Sequence, residues 1–424
     1  MDRRLEKLVK RTVPGLILLL GCGLALWSAP ARGDELCSID ERPAATLLLP
    51  YFEVDPSHPS GLTTLFSINN ASPEAVMTHV TVWTDMGVPT LGFLIYLTGY
   101  DVQTINLRDL FNGVIPRTAP AGEDPTDTIS PHGFFFGGQD TDFPSCAGLM
   151  PLPPLPPDFV THLRAAHSGK FSSVLKGCAG QDLGDGHLRG YVTVDTVSEC
   201  TLRLPLDVGY FGPHGVVTNQ NVLWGDYLFL DPDHKVFDGE NLVHVKAFPG
   251  AFHQGDLTFY GRYVGSSGED ERQPLPTAWA SRYVNGGATS GSTELLVWRD
   301  SGRPMFPFTC GTLPFGFPLG HAREITFNEE EQIFFLPITP QPGDQTARST
   351  PVEANRVRIG GPTFPVDFAF GWVFLDLDAP PPGGIGQVLR QSWVETILSI
   401  QGQFSAGFSA TPLASPCAPN SPIP

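Results

Sequence analysis

The stretch FLDPDHKVFDGEN, residues 229–241, gathers four carboxylates, Asp231, Asp233, Asp238 and Glu240. Several carboxylates on a flexible loop are what calcium prefers, because the ion takes many hard oxygen ligands in a tolerant geometry. The stretch departs from the EF-hand template: position five is Lys235 and position six is Val236, where an oxygen ligand and a glycine belong. A solvated acidic turn between two strands is therefore the simpler reading, and calcium is the one ion to test. DLGDGH, residues 182–187, is a weaker version of the same signal.

Other chemistry is harder to find. His162 and His167 lie five apart in PDFVTHLRAAH, which puts them on different faces of a helix and reads as solvated positions rather than a metal pair. The chain has no H-E-x-x-H, no G-x-S-x-G, no P-loop and no complete G-x-G-x-x-G. Gly383-Gly384-Ile385-Gly386 follows three prolines and reads as a loop. With so many acidic residues some carboxylate pair can always be nominated as acid and base, and no spacing selects one. No catalytic residue is assigned, and no cofactor beyond the calcium candidate.

The first thirty residues set the compartment. Arg3, Arg4, Lys7, Lys10 and Arg11 precede the apolar run VPGLILLLGCGLALW, and Ala29-Pro30-Ala31 follows as a small-x-small cleavage signature. This is the layout of a secretory signal peptide, residues 1–31. A lipoprotein box ending at Cys22 competes with it, but the apolar run continues past that cysteine. No later segment is apolar for long enough to span a bilayer. The mature chain carries 26 − 5 basic against 44 − 2 acidic groups, a net charge of −21. Such a surface repels phosphate backbones and anionic membranes, so nucleic acid is excluded as a partner and a protein or glycan surface is expected.

Six cysteines remain, an even number without any C-x-x-C, which in an exported chain points to disulfides. A pairing that respects the domain boundaries joins Cys310 to Cys417, Cys146 to Cys178 and Cys37 to Cys200.

Those boundaries come from a repeated phrase. TVWTDMGVP at residues 81–89 and LVWRDSGRP at 296–304 both read V-W-x-D-x-G-x-P. Val and Trp end a strand, Asp-x-Gly turns the chain, and Pro begins the return without needing a ladder N–H. Asp85 and Asp300 are thus turn-formers. Short β-rich runs separated by Pro, Gly, Asn and Asp fill the rest, and AVMTHVTVW alternates in the manner of a sheet strand. Further matches follow in order: Ile68-Asn69 with Val284-Asn285, Phe93 with Phe308, Ile105-x-Leu107 with Ile325-x-Phe327, and GYVTVDT from Gly190 with GWVFLDL from Gly371. The interval before Gly190 is about 39 residues longer than its counterpart and contains a proline run and a short helix that Asp158 caps and Gly169 stops.

The cadence resembles that of immunoglobulin-like sandwiches. The expected fold is mainly β: two tandem, internally duplicated immunoglobulin-like β-sandwiches, the first with a long loop and short-helix insertion. The first domain runs from 32 to 250 with its insertion at about 112–186, a linker or connecting strand from 251 to 276, the second domain from 277 to 413, and a Pro-rich tail from 414 to 424. Two functions fit. One is an exported, non-catalytic binding, adhesion or structural protein of the cell envelope or extracellular space, with Trp224 or Trp279 as candidates for a sugar-binding face. The other is a secreted hydrolase with a carboxylate site assembled from loops. The missing nucleophile motifs and the repeated scaffold favour the first.

Overall fold

In a computed structural model the chain is described over residues 39–116, 153–234, 236–334, 349–378, 390–400 and 404–414. The expected signal peptide, Cys37, Cys146, Cys417 and the first residues of the proline run lie outside the described residues.

The fold is mainly β, built from antiparallel sheets. The first half opens with β1 (Thr46–Val54), β2 (Thr63–Asn70), β3 (Val76–Thr84), β4 (Pro89–Leu97) and β5 (Val102–Asn106), which runs into helix α1 (Leu107–Phe111). Helix α2 (Pro157–His167) follows, then β6 (Leu188–Val197), β7 (Leu223–Trp224), β8 (Asp226–Asp231), β9 (Val236–Asn241) and β10 (Val243–Val245). One sheet has the order β10-β1-β6-β3-β4, the other β5-β2-β8-β9 with β7 also on β2. Phe66, Ile68 and Ile105 of the second sheet share a core with Leu48, Val80 and Val192 of the first.

Every residue of β3 is buried, although its sequence alternates. The valine face enters the shared core. The opposite face is covered too: Met77 packs with Cys200, Tyr210 and Val216 of the loop that follows β6, and Trp83 stacks on Tyr191 and Tyr263.

A short helix α3 (Gly261–Val264) leads to the second half. It comprises β11 (Ala278–Val284), β12 (Gly291–Arg299), β13 (Leu319–Gly320), β14 (Arg323–Asn328), β15 (Ile333–Phe334) and β16 (Ser349–Thr350). Then come β17 (Ala354–Arg358), β18 (Phe370–Asp376), β19 (Ser392–Ile400), β20 (Phe404–Ser409) and β21 (Thr411–Ala414). The sheets are β15-β14-β18-β11-β21 and β17-β12-β19-β20, with β13 paired to β16. Residues 251–276 are no free linker: Phe259, Tyr260, Arg272 and Leu275 are buried as a wedge between the halves.

The pairing pattern of the halves can be compared strand by strand. In the first, β3 lies between β4 and β6 while β2 pairs with β5 and β8; in the second, β12 lies between β17 and β19 while β11 pairs with β18 and β21. The repeated phrase ends β3 in one half and β12 in the other, and Gly87 and Gly302 take φ of 77° and 76° in its two turns. Beyond the phrase the sequence matches part company. Trp83 faces Tyr191 on β6, so Gly190 corresponds to Ser392, next to Trp393 opposite Trp298. Gly371 lies on β18, in the sheet that does not contain Trp298, so the equivalence of Gly190 with Gly371 does not hold. The reason is that the long interval is not in the same place: it separates β5 from β6 in the first half and β12 from β17 in the second. The two glycines recur for a local reason. A Cβ at Gly190 would collide with the Trp83 carbonyl oxygen, and one at Gly371 with that of Phe327.

The two long intervals touch each other. Cys178 is bonded to Cys310 (S–S 2.03 Å), and Cys178 also forms a β-bridge with Phe308. The expected pairs Cys146–Cys178 and Cys310–Cys417 are therefore replaced by a bond that crosses between the halves; assigning cysteines by domain failed because the insertions abut. Cys200 is itself disulfide-bonded, while its expected partner Cys37 lies outside the described residues.

Helix α2 begins two residues earlier than expected. Pro156 occupies the N-cap, Asp158 sits in the first turn where its charge suits the helix dipole, and Gly169 follows the end with φ of 71°. His162 and His167 are buried rather than solvated. His167 bonds the Arg189 carbonyl through Nδ1 (2.9 Å) and the Thr90 hydroxyl through Nε2 (2.8 Å), and burial pulls it down to about 3, so the ring is neutral.

Candidate functional site

The four carboxylates of the acidic loop do not converge. Asp231 ends β8 and bonds His234 (2.8 Å); Asp233 in the turn accepts the Ser60 hydroxyl (3.0 Å). Asp238 is buried on β9 beside Gly407 of β20, and Glu240 accepts the N–H of Asn241. Asp238 and Glu240 line the side of β9 that faces Glu395 and Gly407, while Asp231 and Asp233 stay at the turn, so the four carboxylates are not brought together. Among the described residues, the one group whose potential ligand atoms all lie within 4.8 Å of each other is Glu53, Asp185 and His187. That place already holds a cation: Arg189 Nη2 lies 2.5 Å from both Glu53 and Asp185. A metal ion there would have to displace a guanidinium.

The Trp279 ring is buried, with its N–H on the Ser392 hydroxyl (2.9 Å), and lines no face; Trp224 is partly exposed. Asp85 and Asp300 both sit in turns as expected, and what the turns do was not legible. The backbone carbonyl of Asp85 accepts the N–H groups of Glu353 (2.8 Å) and Ala354 (3.0 Å), the entry to β17 in the other half. The turn after Trp298 presents the Ser301 N–H to Glu353 Oε1 (3.1 Å), and Gly87 leaves the room that Glu353 occupies, since a Cβ there would overlap its carboxylate. Both copies of the phrase thus grip a single glutamate.

Glu353 is fully buried and ion-paired to Arg262 of α3; its Oε2 accepts the Tyr191 hydroxyl (2.9 Å). Arg262 also donates to the Tyr191 oxygen (2.7 Å), approaches Asp300 (3.5 Å) and stacks over the Tyr263 ring (4.9 Å). Burial raises Glu353 above the ordinary carboxylate range even though Arg262 opposes it.

Beside this seam opens a cleft of about 500 Å³, walled by β1 and β6 of the first half and β17 of the second. A chain of alternating charges runs along it. Asp185 pairs with Arg189, Arg189 with Glu53, Glu53 with Arg356 (3.5 Å), and Arg356 with Glu294 (2.6 Å). Burial pushes Glu53 up, but the His187 hydrogen bond and the Arg189 and Arg356 guanidiniums outweigh it and hold the carboxyl at about 2. Asp85, also in the lining, goes the other way: burial pushes it to about 8, so it is a neutral acid at neutral pH. Arg358 faces the cleft with no carboxylate partner among the described residues, alongside Asn355 and Thr363.

None of this seam was predicted. Its members come from distant segments, and the one local sign is an arginine set among aromatics in FYGRYV, residues 259–264. No protein-family model, no curated protein and no solved structure matches the chain.

Proposed function

We propose that this is an exported, non-catalytic protein of the cell envelope or extracellular space, built from two tandem immunoglobulin-like β-sandwiches that arose by internal duplication, and that it binds glycan in the cleft between them. The matched strand pairings about the repeated phrase support the duplication. The leader-like N-terminus supports export, and the disulfide is compatible with it.

The observation that carries the binding reading is the cleft itself. It sits where the halves meet, and its walls carry charged groups fixed by one another, with the exposed Arg358 lining it beside Thr363 and the Asn355 amide held beneath by Val352 and Val297. Rigid polar groups of this kind suit a polyhydroxylated ligand, because their donors and acceptors are oriented before it arrives. The test is a glycan array probed with the oxidised mature chain. Binding to a defined glycan class is expected, with Arg358→Ala weakening it about tenfold, roughly 1.4 kcal/mol. Absence of any glycan binding, or an Arg358→Ala protein that binds as well as the parent, refutes the assignment.

One observation favours a hydrolase instead: a protonated Asp85 and an ionised Glu53 line one cleft, the division of labour that acid–base catalysis uses. Against it, Arg189, His187 and Tyr51 already occupy both Glu53 oxygens, and Asp85 is buried in its turn. Turnover of a bound glycan that disappears in Asp85→Asn would replace the binding reading.

A further inference from the structure

The loops joined by Cys178–Cys310 carry several exposed apolar side chains. Phe171, Val174, Phe306, Leu313 and Phe315 are each more than half exposed. They are held firmly from below, since Met305, Phe317, Leu319 and Val352 form a separate buried cluster with Met86 and Ala166. Two disulfide-joined loops thus carry five exposed large apolar groups between them, Phe171 and Val174 on one and Phe306, Leu313 and Phe315 on the other, which is the mark of a contact surface.

The charge of these loops is the second observation. The chain has 44 acidic and 26 basic residues, yet residues 159–181 and 301–323 contain no Asp or Glu, while holding Arg164, Lys170, Lys176, Arg303 and Arg323. Lys170 and Lys176 are exposed, and neither they nor Arg303 has an ion-pair partner among the described residues. The Arg303 guanidinium lies 4.9 Å over the Phe315 ring, which sets a cation at the edge of an exposed aromatic.

We propose that this disulfide-stapled knob docks on an anionic lipid surface, its Phe and Leu side chains entering the interface and Lys170, Lys176 and Arg303 meeting lipid phosphates. Charge complementarity selects that occupant. A second copy of this acidic chain could meet the cations with its negative surface, but two knobs face to face would set cation against cation. A lipid leaflet supplies both phosphate and hydrocarbon, and each cation near an anionic leaflet strengthens attachment by about fivefold. The inference corrects the reading from net charge: the whole molecule repels such a surface, and one patch is built against that trend. It does not rest on the cleft or its ligand.

The experiment is co-sedimentation of the oxidised mature chain with vesicles of phosphatidylglycerol and phosphatidylethanolamine, and separately of phosphatidylcholine. Binding to the anionic vesicles alone is expected, weakening as salt rises from about 0.05 M to about 0.5 M. The pairs Phe306→Ser with Phe315→Ser and Lys170→Glu with Lys176→Glu should each reduce it at least tenfold. All four positions are exposed or at the knob's rim, so folding is checked by an unchanged melting curve. Phe237→Ser, at an exposed aromatic on β9, should leave binding intact. No binding to anionic vesicles, equal binding to phosphatidylcholine, binding that survives both pairs, or light scattering that shows the knob covered by a second copy would overturn the proposal.

Discussion

Replacing Arg262 by Met tests the seam most directly. Methionine keeps most of the arginine's buried stem volume, so little of the effect comes from a cavity. What disappears is the ion pair to Glu353, the hydrogen bond to Tyr191, the approach to Asp300 and the stacking on Tyr263. Removing one partner of a buried ion pair costs about 3–5 kcal/mol, because the other charge is left without compensation. For units of this size each kcal/mol moves the melting temperature by about 2–4 °C, so a fall of about 6–20 °C is expected. The loss should depend on pH. Folding already raises Glu353, by burial, above its unfolded value, so the folded state binds its proton more tightly. Stability from such a group is present at low pH and lost as pH rises through the folded value. Without Arg262 that trend steepens, and the deficit should be largest near about pH 8 and shrink toward about pH 5. Adding Glu353→Gln removes the stranded charge and should restore more than half of the loss. Thermal melts of the three proteins at both pH values decide it. A deficit under about 1 kcal/mol, a deficit indifferent to pH, or a double variant no better than the single refutes the buried-pair account.

Other outcomes follow from the same geometry. Non-reducing peptide mapping should recover Cys178 linked to Cys310 and no peptide joining Cys310 to Cys417. Gly190→Ala and Gly371→Ala should each lower stability by about 3 kcal/mol or more in urea melts, since each inserts a methyl against a neighbouring strand's carbonyl, whereas a surface substitution stays within about 0.5 kcal/mol. Chelator should leave the melting curve unchanged, because the carboxylates of the 229–241 loop are dispersed; a drop reversed by calcium would reinstate the site.

The sequence spoke most clearly where local chemistry decides structure. Alternation and turn residues identified the mainly β class, and the V-W-x-D-x-G-x-P phrase marked two turns whose glycines adopt nearly the same φ. It misled where a pattern has more than one cause. The G-aromatic-V motif looked like a second pair of repeat markers, but Gly190 and Gly371 answer to steric crowding in unrelated ladders. Alternation in β3 marked a strand but not its surroundings, since both faces are buried, one of them under the loop after β6. The seam was invisible for a different reason. Tyr191, Arg262 and Glu353 come from three separated segments, and nothing in TPVEANRV, residues 350–357, shows that its glutamate points inward. The disulfide was missed because its 132-residue separation spans a boundary that the cysteines were assumed to respect.

Proteins that trap ligands between two lobes usually hinge, closing over the guest and gaining selectivity from the motion. Here the hinge is bolted. One glutamate is held by both halves in the seam beside the groove, and a covalent strap ties their outer loops. The walls of the cleft therefore keep one spacing whether or not anything lies between them. If the cleft binds glycan as proposed, recognition would be a matter of gauge: a chain of the right width would slide in, a wider one would be refused, and no closing step would distinguish the two. Association should then run at a single rate without a slow isomerisation phase, and discrimination among ligands should appear in how long they stay.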